Sequence, residues 1–325
     1  PQKYRDLLSG MPITEVVLKV LGVLQQGDKN EAYRLMTYYL KLYPEATSDL
    51  ILILENNDTE ELLSREEETL FWMYIGEVGH KEAQTALSDA INDDSFRSQS
   101  RWDAMATTPV VKTPNVAMVE GMMSAADTLS AIQNPSAEQE DLRHTSVLMM
   151  GALADTAEDE AKENAVDYLR NNLSLNKSVK EQCDLLVAIG SYGGPELLSE
   201  VKPFFSSTNP TVRMCAFSAI RKMRGDGAMD LFRDAFGGEG DALVRRQALE
   251  QMFAGNSSDA DPLLILWARE NILNIAENEG LDSLIKYLGQ TMTTFPENED
   301  ALRRLLAQSS KEIKHQIYAY VSYKP

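Results

Sequence analysis

Apolar residues recur at intervals of three and four along almost the whole chain. Val16, Val20, Leu21 and Leu24 show this spacing after Thr14, a residue type that often caps a helix. Sustained alternation of apolar and polar residues, rich in β-branched side chains, does not occur, so the pattern predicts an all-α fold without a sheet. Further helices are predicted near residues 62–78, 81–91, 94–106, 114–132, 138–155, 158–171, 260–277, 280–291, 297–308 and 310–322.

One pattern occurs three times in the second half of the chain: aliphatic, basic, two variable positions, small, three variable positions, apolar. The copies begin at Val179, Val212 and Val244, 33 and 32 residues apart. Looser copies begin at Leu142 and Phe96. A fixed period of this length is typical of stacked repeats. Because each period has room for two helices, the pattern predicts an α-solenoid of antiparallel helix pairs.

The copies at Val212 and Val244 resemble the second helix of a HEAT repeat. In that family an Asp or Asn before the helix and an Arg within it form a ladder between repeats. Asn209 and Asp241 match the first position, and Arg213 and Arg245 match the second. The resemblance is firm for residues 176–254. It implies a right-handed, HEAT- or armadillo-like solenoid whose second helices line the concave side.

We expect residues 1–325 to form a single α-solenoid, with the clearer HEAT-like repeats in 137–325. Residues 1–60 resemble a tetratricopeptide-like helical cap, although the loop is about two residues short for that family, and a generic helical hairpin is the alternative. The chain also resembles the helical domain of large lipid-carrying proteins of the vitellogenin type. No motif separates that resemblance from the HEAT one. Because the chain opens at Pro1 without Met, we expect a processed product or part of a longer protein.

The chain is strongly acidic. It has 31 Lys and Arg against 50 Asp and Glu, a net charge of −19. Binding to nucleic acids or to anionic membrane surfaces requires a positively charged protein surface. The excess of acidic residues therefore argues against both kinds of partner and favours a basic protein partner. The longest aliphatic run, residues 50–54, is far too short to span a bilayer, so no membrane insertion is expected.

Residues arranged for catalysis are missing from the sequence patterns. The three histidines, His80, His144 and His315, each stand alone, and none forms a zinc-type His pair. No strand-to-helix serine elbow occurs. We therefore expect no catalytic, metal-binding or cofactor-binding residues, no cofactor, and a protein that is not an enzyme.

Two cysteines, Cys183 and Cys215, lie almost in register in neighbouring repeats. Neighbouring helix axes lie about 8–10 Å apart, and a disulfide needs Cα atoms within about 7 Å. We therefore expect two buried free thiols. Cysteine usage then leaves the compartment open, with the cytoplasm slightly favoured.

These observations together predict a non-catalytic scaffold or adaptor that binds a protein partner on an extended solenoid surface. One alternative is a carrier of apolar ligands, in which methionines of the middle of the chain would line a groove. Another alternative is a helical accessory domain of a larger enzyme. The methionines concerned are Met118, Met122, Met123, Met149 and Met150, for which core packing is the favoured interpretation.

Arg246 is the best single candidate for partner binding, because its neighbour Arg245 is expected to serve the ladder. Arg143, Arg213 and Arg245 are further candidates. The alternative for Arg246 is an ion pair with Glu250, one helical turn on. The three tryptophans are expected in the core, and they are Trp72, Trp102 and Trp267.

Overall fold

The computed structural model describes residues 2–255 and 259–322, and in these ranges the secondary structure is helical without a strand. The helices of the first half are α1 (Gln2–Leu8), α2 (Ile13–Gln25), α3 (Lys29–Leu42), α4 (Ala46–Glu55), α5 (Asn57–Glu60), α6 (Arg65–Val78), α7 (Lys81–Asn92), α8 (Ser98–Thr107), α9 (Val116–Ser130), α10 (Ala137–Thr156) and α11 (Asp159–Asn172). Those of the second half are α12 (Val179–Tyr192), α13 (Leu198–Val201), α14 (Pro210–Ile220), α15 (Asp226–Gly238), α16 (Ala242–Met252), α17 (Pro262–Asn271), α18 (Leu281–Gln290), α19 (Asn298–Leu306) and α20 (Lys311–Tyr318). The predicted all-α fold is confirmed.

Local capping sets where many of these helices begin. Ser64, Ser136 and Ser178 begin α6, α10 and α12 with a capping box. The serine oxygen accepts a hydrogen bond from the third residue of the helix, whose Glu or Gln side chain in turn accepts from the serine N–H. Asn209 and Asp241 cap α14 and α16 in a simpler way, by accepting hydrogen bonds from backbone N–H groups of the first turn.

Contacts divide the chain into two compact units, residues 1–171 and 172–325. In the first unit, α2, α4, α7 and α9 pack in sequence order as one row, and α3, α6, α8 and α10 pack as a second row. Consecutive helices join the rows, as α2 with α3, α7 with α8, and α9 with α10. Each helix pair therefore packs on the next one, which is the arrangement of a helical-repeat fold.

The second unit has the same kind of arrangement. Its helices α12, α14, α16, α18 and α20 follow one another in one row, and α15, α17 and α19 pack beside them. The three copies of the sequence repeat lie on α12, α14 and α16, which are direct neighbours. That the two units form one continuous right-handed solenoid stays a prediction.

The small positions of the repeat lie where helices approach closely. Ala216 and Ala248 are completely buried on α14 and α16. Outside this repeat position, a Cβ added at Gly190 of α12 would collide with the carbonyl oxygen of Ser218 on α14. Because these positions carry almost no side chain, the neighbouring helices can pack backbone against backbone.

Cys183 of α12 and Cys215 of α14 form a disulfide, with their Cα atoms 5.3 Å apart. The prediction of two buried free thiols is therefore wrong, and both residues are only half-buried. That prediction took the spacing of helix axes for the spacing of Cα atoms. Cα atoms lie about 2.3 Å from their helix axis, so two that face each other are closer than their axes by up to about 4.6 Å.

We expect the protein to contain no free thiol when it is denatured without a reductant, and two after reduction. The disulfide closes a loop across 32 residues of sequence, so its reduction should lower the free energy of unfolding by about 3–4 kcal/mol. Thiol titration and denaturant unfolding measure these two quantities. As a control, the unfolding of the Cys183→Ser, Cys215→Ser double variant should not respond to reductant. Two free thiols in the unreduced protein would contradict the disulfide.

Ala216→Leu should destabilise the second unit by about 1–3 kcal/mol, because the larger side chain has no room between α14 and its neighbours. Thermal unfolding followed by circular dichroism measures the change. Ala242→Leu is the matched control, because Ala242 is exposed at the start of α16 and should tolerate the same change within about 0.5 kcal/mol. Equal melting of the two variants would show that the packing around Ala216 is looser than described.

Candidate functional site

Arg97, which directly precedes α8, lies at the centre of an ion network in the first unit. Its guanidinium group is 2.5 Å from the Asp58 carboxylate, 3.5 Å from Glu55 and 3.6 Å from Glu68. It also donates a hydrogen bond to the carbonyl oxygen of Leu54. One side chain thereby joins the end of α4, the short helix α5 and the first turn of α6 to the start of α8.

Arg65 is the second cation of this network. It binds Asp103 through two hydrogen bonds of 2.5 and 2.6 Å, and it lies 3.3 Å from Glu68. Glu68 and Asp103 are both buried. With the contacts of Arg97, the network holds two arginines against four carboxylates. It therefore carries an excess of two negative charges when all six groups are ionised.

The carboxylates keep both arginines charged. The hydrogen bond to Asp103 is the largest effect on Arg65 and raises its pKa, although burial opposes it. For Arg97, burial favours the neutral form, but the hydrogen bond to Asp58 and the charges of Glu55 and Glu68 outweigh it and raise the pKa. The two arginines therefore serve as the cations of a structural ion cluster.

Part of the network is held by charge alone. Glu68 Oε1, Glu55 Oε2 and the Nε atom of Arg97 are buried without a hydrogen-bond partner. Arg97 Nε lies 3.5 Å from Glu55 Oε2, and Arg97 Nη2 lies 3.6 Å from Glu68 Oε1, which are ion-pair distances. Removal of the central cation would leave Glu55 without the cation of its ion pair and Glu68 with Arg65 alone, which is more costly than the loss of a surface ion pair.

A pocket of about 480 Å³ opens beside this network, between the first turn of α6 and the facing sides of α8 and α10. It is lined by Arg65, Gln99, Trp102, Asp141, His144 and Thr145. Trp102 is 41% exposed, so the prediction that it lies in the core is wrong. The same prediction is correct for Trp72 and Trp267, which are buried.

The charge that the pocket offers to a ligand is negative. Asp141 is exposed and its carboxylate forms no ion pair or hydrogen bond within the described part of the chain. The positive charge of Arg65 is already neutralised by Asp103 and Glu68. A carboxylate and an exposed indole ring in one pocket suit a cation, which can pair with the first and lie on the face of the second.

The acidity of the protein is concentrated in the unit that holds this pocket. Residues 1–171 contain 14 Lys and Arg against 30 Asp and Glu, a net charge of −16. Residues 172–325 contain 17 against 20, a net charge of −3. This difference in net charge is present in the sequence, but it becomes visible only when the boundary between the two units is known.

Arg246, the leading candidate from sequence, lies on α16 with its Nε atom 2.8 Å from Glu250 Oε1. The alternative of an ion pair one helical turn on is thereby confirmed. The hydrogen bond that Arg246 donates to Glu250 raises the pKa of Arg246. A role of this residue in partner binding stays a prediction.

The other three candidate arginines have structural contacts. Arg143 is buried on α10, 3.4 Å from Glu140. Arg213 binds Glu239 through two hydrogen bonds of 2.7 and 3.2 Å. These contacts place both side chains in packing roles, and their part in partner binding also stays a prediction.

Arg245 lies over the ring of Phe236, 4.1 Å from its centre, and 3.3 Å from Glu279. The expected ladder is therefore built differently from the HEAT pattern. Its carboxylates are Glu239 and Glu279, from the segments that follow α15 and α17, whereas Asn209 and Asp241 are occupied as helix caps.

Within residues 2–255 and 259–322, no three His, Cys, Asp or Glu side chains are grouped so that they could hold a metal ion. His80 accepts a hydrogen bond from Ala83 N–H as the cap of α7. None of the helices described is long and apolar enough to cross a membrane.

Comparison with known proteins places the chain in no family. No family model matches it, and no curated protein matches its sequence. Among solved structures, human deoxyhypusine hydroxylase in complex with glycerol matches 86% of this chain and 97% of its own, with 13% identity and a TM-score of 0.33. An engineered protein matches 93% of this chain and 76% of its own, with 15% identity and a TM-score of 0.37.

The prediction of a non-catalytic scaffold or adaptor is corrected by this comparison. It rested on the repeat pattern and on the absence of catalytic motifs from the sequence, yet the human protein that matches most of this chain is an enzyme. That function and its carrier and accessory-domain alternatives are withdrawn. Identities of 13–15% and TM-scores below 0.4 transfer no activity and no site residue to this chain.

Arg97→Gln should lower the free energy of unfolding by about 3–5 kcal/mol, because Glu55 then loses the cation of its ion pair and Glu68 keeps only Arg65. Lys29→Gln is the control, since it breaks only an exposed ion pair with Glu66 and should cost less than about 1 kcal/mol. Denaturant unfolding of both variants measures the difference. If Arg97→Gln lowers the free energy of unfolding as little as the control does, Arg97 does not hold the network together.

Proposed function

We propose that the first unit binds a basic segment of a partner protein, and that the Trp102 pocket holds an arginine side chain of that segment. The observation that carries this proposal is an exposed tryptophan beside the unpaired carboxylate of Asp141, in a unit of net charge −16. Exposed tryptophans are uncommon, and they are enriched among the residues that dominate binding energy.

The pocket favours arginine over lysine. A guanidinium group is planar and weakly hydrated, so it can lie on the indole of Trp102 while it donates hydrogen bonds to the Asp141 carboxylate. A cation on an aromatic face contributes about 0.5–1 kcal/mol at an exposed site and about 2 kcal/mol when it is desolvated. With a volume of about 480 Å³, the pocket has room for such a side chain and part of the adjoining backbone.

The excess of acidic residues in the first unit acts at longer range. A field of one sign attracts an oppositely charged partner and raises the rate of encounter at low ionic strength. The same field disfavours nucleic acid, whose exclusion as a partner stays a prediction. That the chain has no catalytic activity and no cofactor also stays a prediction, because binding of a basic segment is compatible with either outcome.

Two finer points belong to this proposal. The repeats of residues 176–254 are proposed to be of the HEAT type, which the three neighbouring copies on α12, α14 and α16 support.

An oxidising compartment is proposed for the protein rather than the cytoplasm, because disulfides such as Cys183–Cys215 are rare in cytosolic proteins.

Binding of an arginine-rich peptide by the whole chain tests the proposed function. Trp102→Leu should weaken binding by about tenfold or more, and Asp141→Asn by several-fold, as measured by isothermal titration calorimetry. Asp155→Asn is the matched control, since Asp155 is an exposed carboxylate on the same helix α10 outside the pocket, and it should leave the affinity unchanged.

A lysine-rich peptide of equal charge should bind more weakly than the arginine-rich one, and an acidic peptide should not bind. Equal losses of affinity for Asp141→Asn and Asp155→Asn would show that the overall negative charge, and not the pocket, accounts for binding. Unchanged binding by Trp102→Leu would refute the pocket as the site.

A further inference from the structure

The first three helices differ in charge from the rest of the first unit. Residues 1–44 contain six Lys and Arg against four Asp and Glu, a net charge of +2. Residues 45–171 contain eight against 26, a net charge of −18. A unit that is otherwise strongly acidic therefore begins with a segment that is slightly basic, and this segment has its own pocket.

This second pocket has a volume of about 230 Å³ and lies between α1 and α3. It is lined by Tyr4, Arg34, Thr37, Tyr38 and Lys41. The rings of Tyr4 and Tyr38 lie 5.5 Å apart, centre to centre, and form its aromatic wall. For comparison, a cavity of about 150 Å³ is enough to hold benzene. The pocket therefore has room for one aromatic ring and a small polar group.

Both cations of this pocket lack a carboxylate partner. Arg34 and Lys41 are exposed, and neither forms an ion pair within the described ranges. They lie seven residues apart on α3, which places them on the same face two helical turns apart. Two uncompensated positive charges therefore border one aromatic wall.

Glu31, the carboxylate nearest to Arg34 in sequence, already has partners in Tyr4 and Lys3. Tyr4 donates a hydrogen bond of 2.7 Å to Glu31 Oε2, and the Lys3 ammonium lies 3.6 Å from Glu31 Oε1. The hydrogen bond to Glu31 raises the pKa of Tyr4, so its phenol stays neutral and adds no negative charge to the pocket. Glu31 thus fixes the position of the Tyr4 ring. Arg34 also interacts with the Tyr4 hydroxyl group, but like Lys41 it has no carboxylate partner.

We propose that the pocket between α1 and α3 binds a compact anion carried on an aromatic ring, such as an aryl phosphate. The ring packs against Tyr4 and Tyr38, where offset or edge contacts between rings are favourable. The anionic group lies between Arg34 and Lys41. A phosphate suits this pair because an arginine donates to two of its oxygens and a lysine contributes a point charge. This site is independent of the Trp102 pocket, which has the opposite charge preference.

Isothermal titration calorimetry of the whole chain with phenyl phosphate tests the proposal. Saturable binding should be at least about tenfold tighter than that of inorganic phosphate, which lacks the ring, and of phenol, which lacks the charge. The Arg34→Gln, Lys41→Gln double variant should lose at least about tenfold in affinity. Tyr38→Leu should weaken the binding of phenyl phosphate more than that of inorganic phosphate, because only phenyl phosphate has a ring that contacts the aromatic wall.

The matched control is the Lys81→Gln, Lys112→Gln double variant, which removes two exposed and unpaired cations from the same unit outside the pocket. It should bind phenyl phosphate within about twofold of the unaltered protein. The Trp102→Leu variant should also bind it normally, so failure of the proposed basic-segment site would leave this test intact. Absence of saturable binding up to roughly 10 mM phenyl phosphate, or an equal loss in the control double variant, would overturn the proposal.

Discussion

Each helix pair of this protein is too small to bury its own apolar face, so it must pack on the pair before it and the pair after it. This constraint explains why both units consist of rows of sequential neighbours. It also explains the small residue that the repeat places at Ala216 and Ala248, both of which are completely buried. Gly190, outside that position, allows α12 and α14 to approach closely, and the same approach brings Cys183 and Cys215 within disulfide distance.

Close packing of charged repeat positions determines what the arginines do. Arg97, Arg213 and Arg245 each meet carboxylates of neighbouring segments, so their charge is used within the fold. Side chains without such an intramolecular contact remain available to a ligand, and some of them line pockets. In the first unit these are Trp102 with Asp141 at one pocket, and the α3 cations Arg34 and Lys41 at another. The two pockets present opposite charge to solvent, so they select different ligands.

The type of fold does not decide between catalysis and recognition, because function depends on the residues of a site rather than on the architecture that carries them. Function in this protein therefore depends on the local chemistry of the two pockets. In the first pocket a carboxylate without an ion pair and an exposed indole line one cavity. In the second, two cations without a carboxylate partner lie beside two phenol rings.

The helices, their caps and the repeat are predictable from the order of the residues alone. Spacing along a helix follows from its 3.6-residue turn, and caps such as Ser178 act within a few residues of chain, so both can be read locally. Three other features depend on tertiary packing: the disulfide, the exposure of Trp102, and the pairing of Arg213 and Arg245 with Glu239 and Glu279. Each of these depends on how closely, and with which face, one helix meets another. Periodicity shows which residues share a face, but the distance between faces is set by packing among all the neighbours.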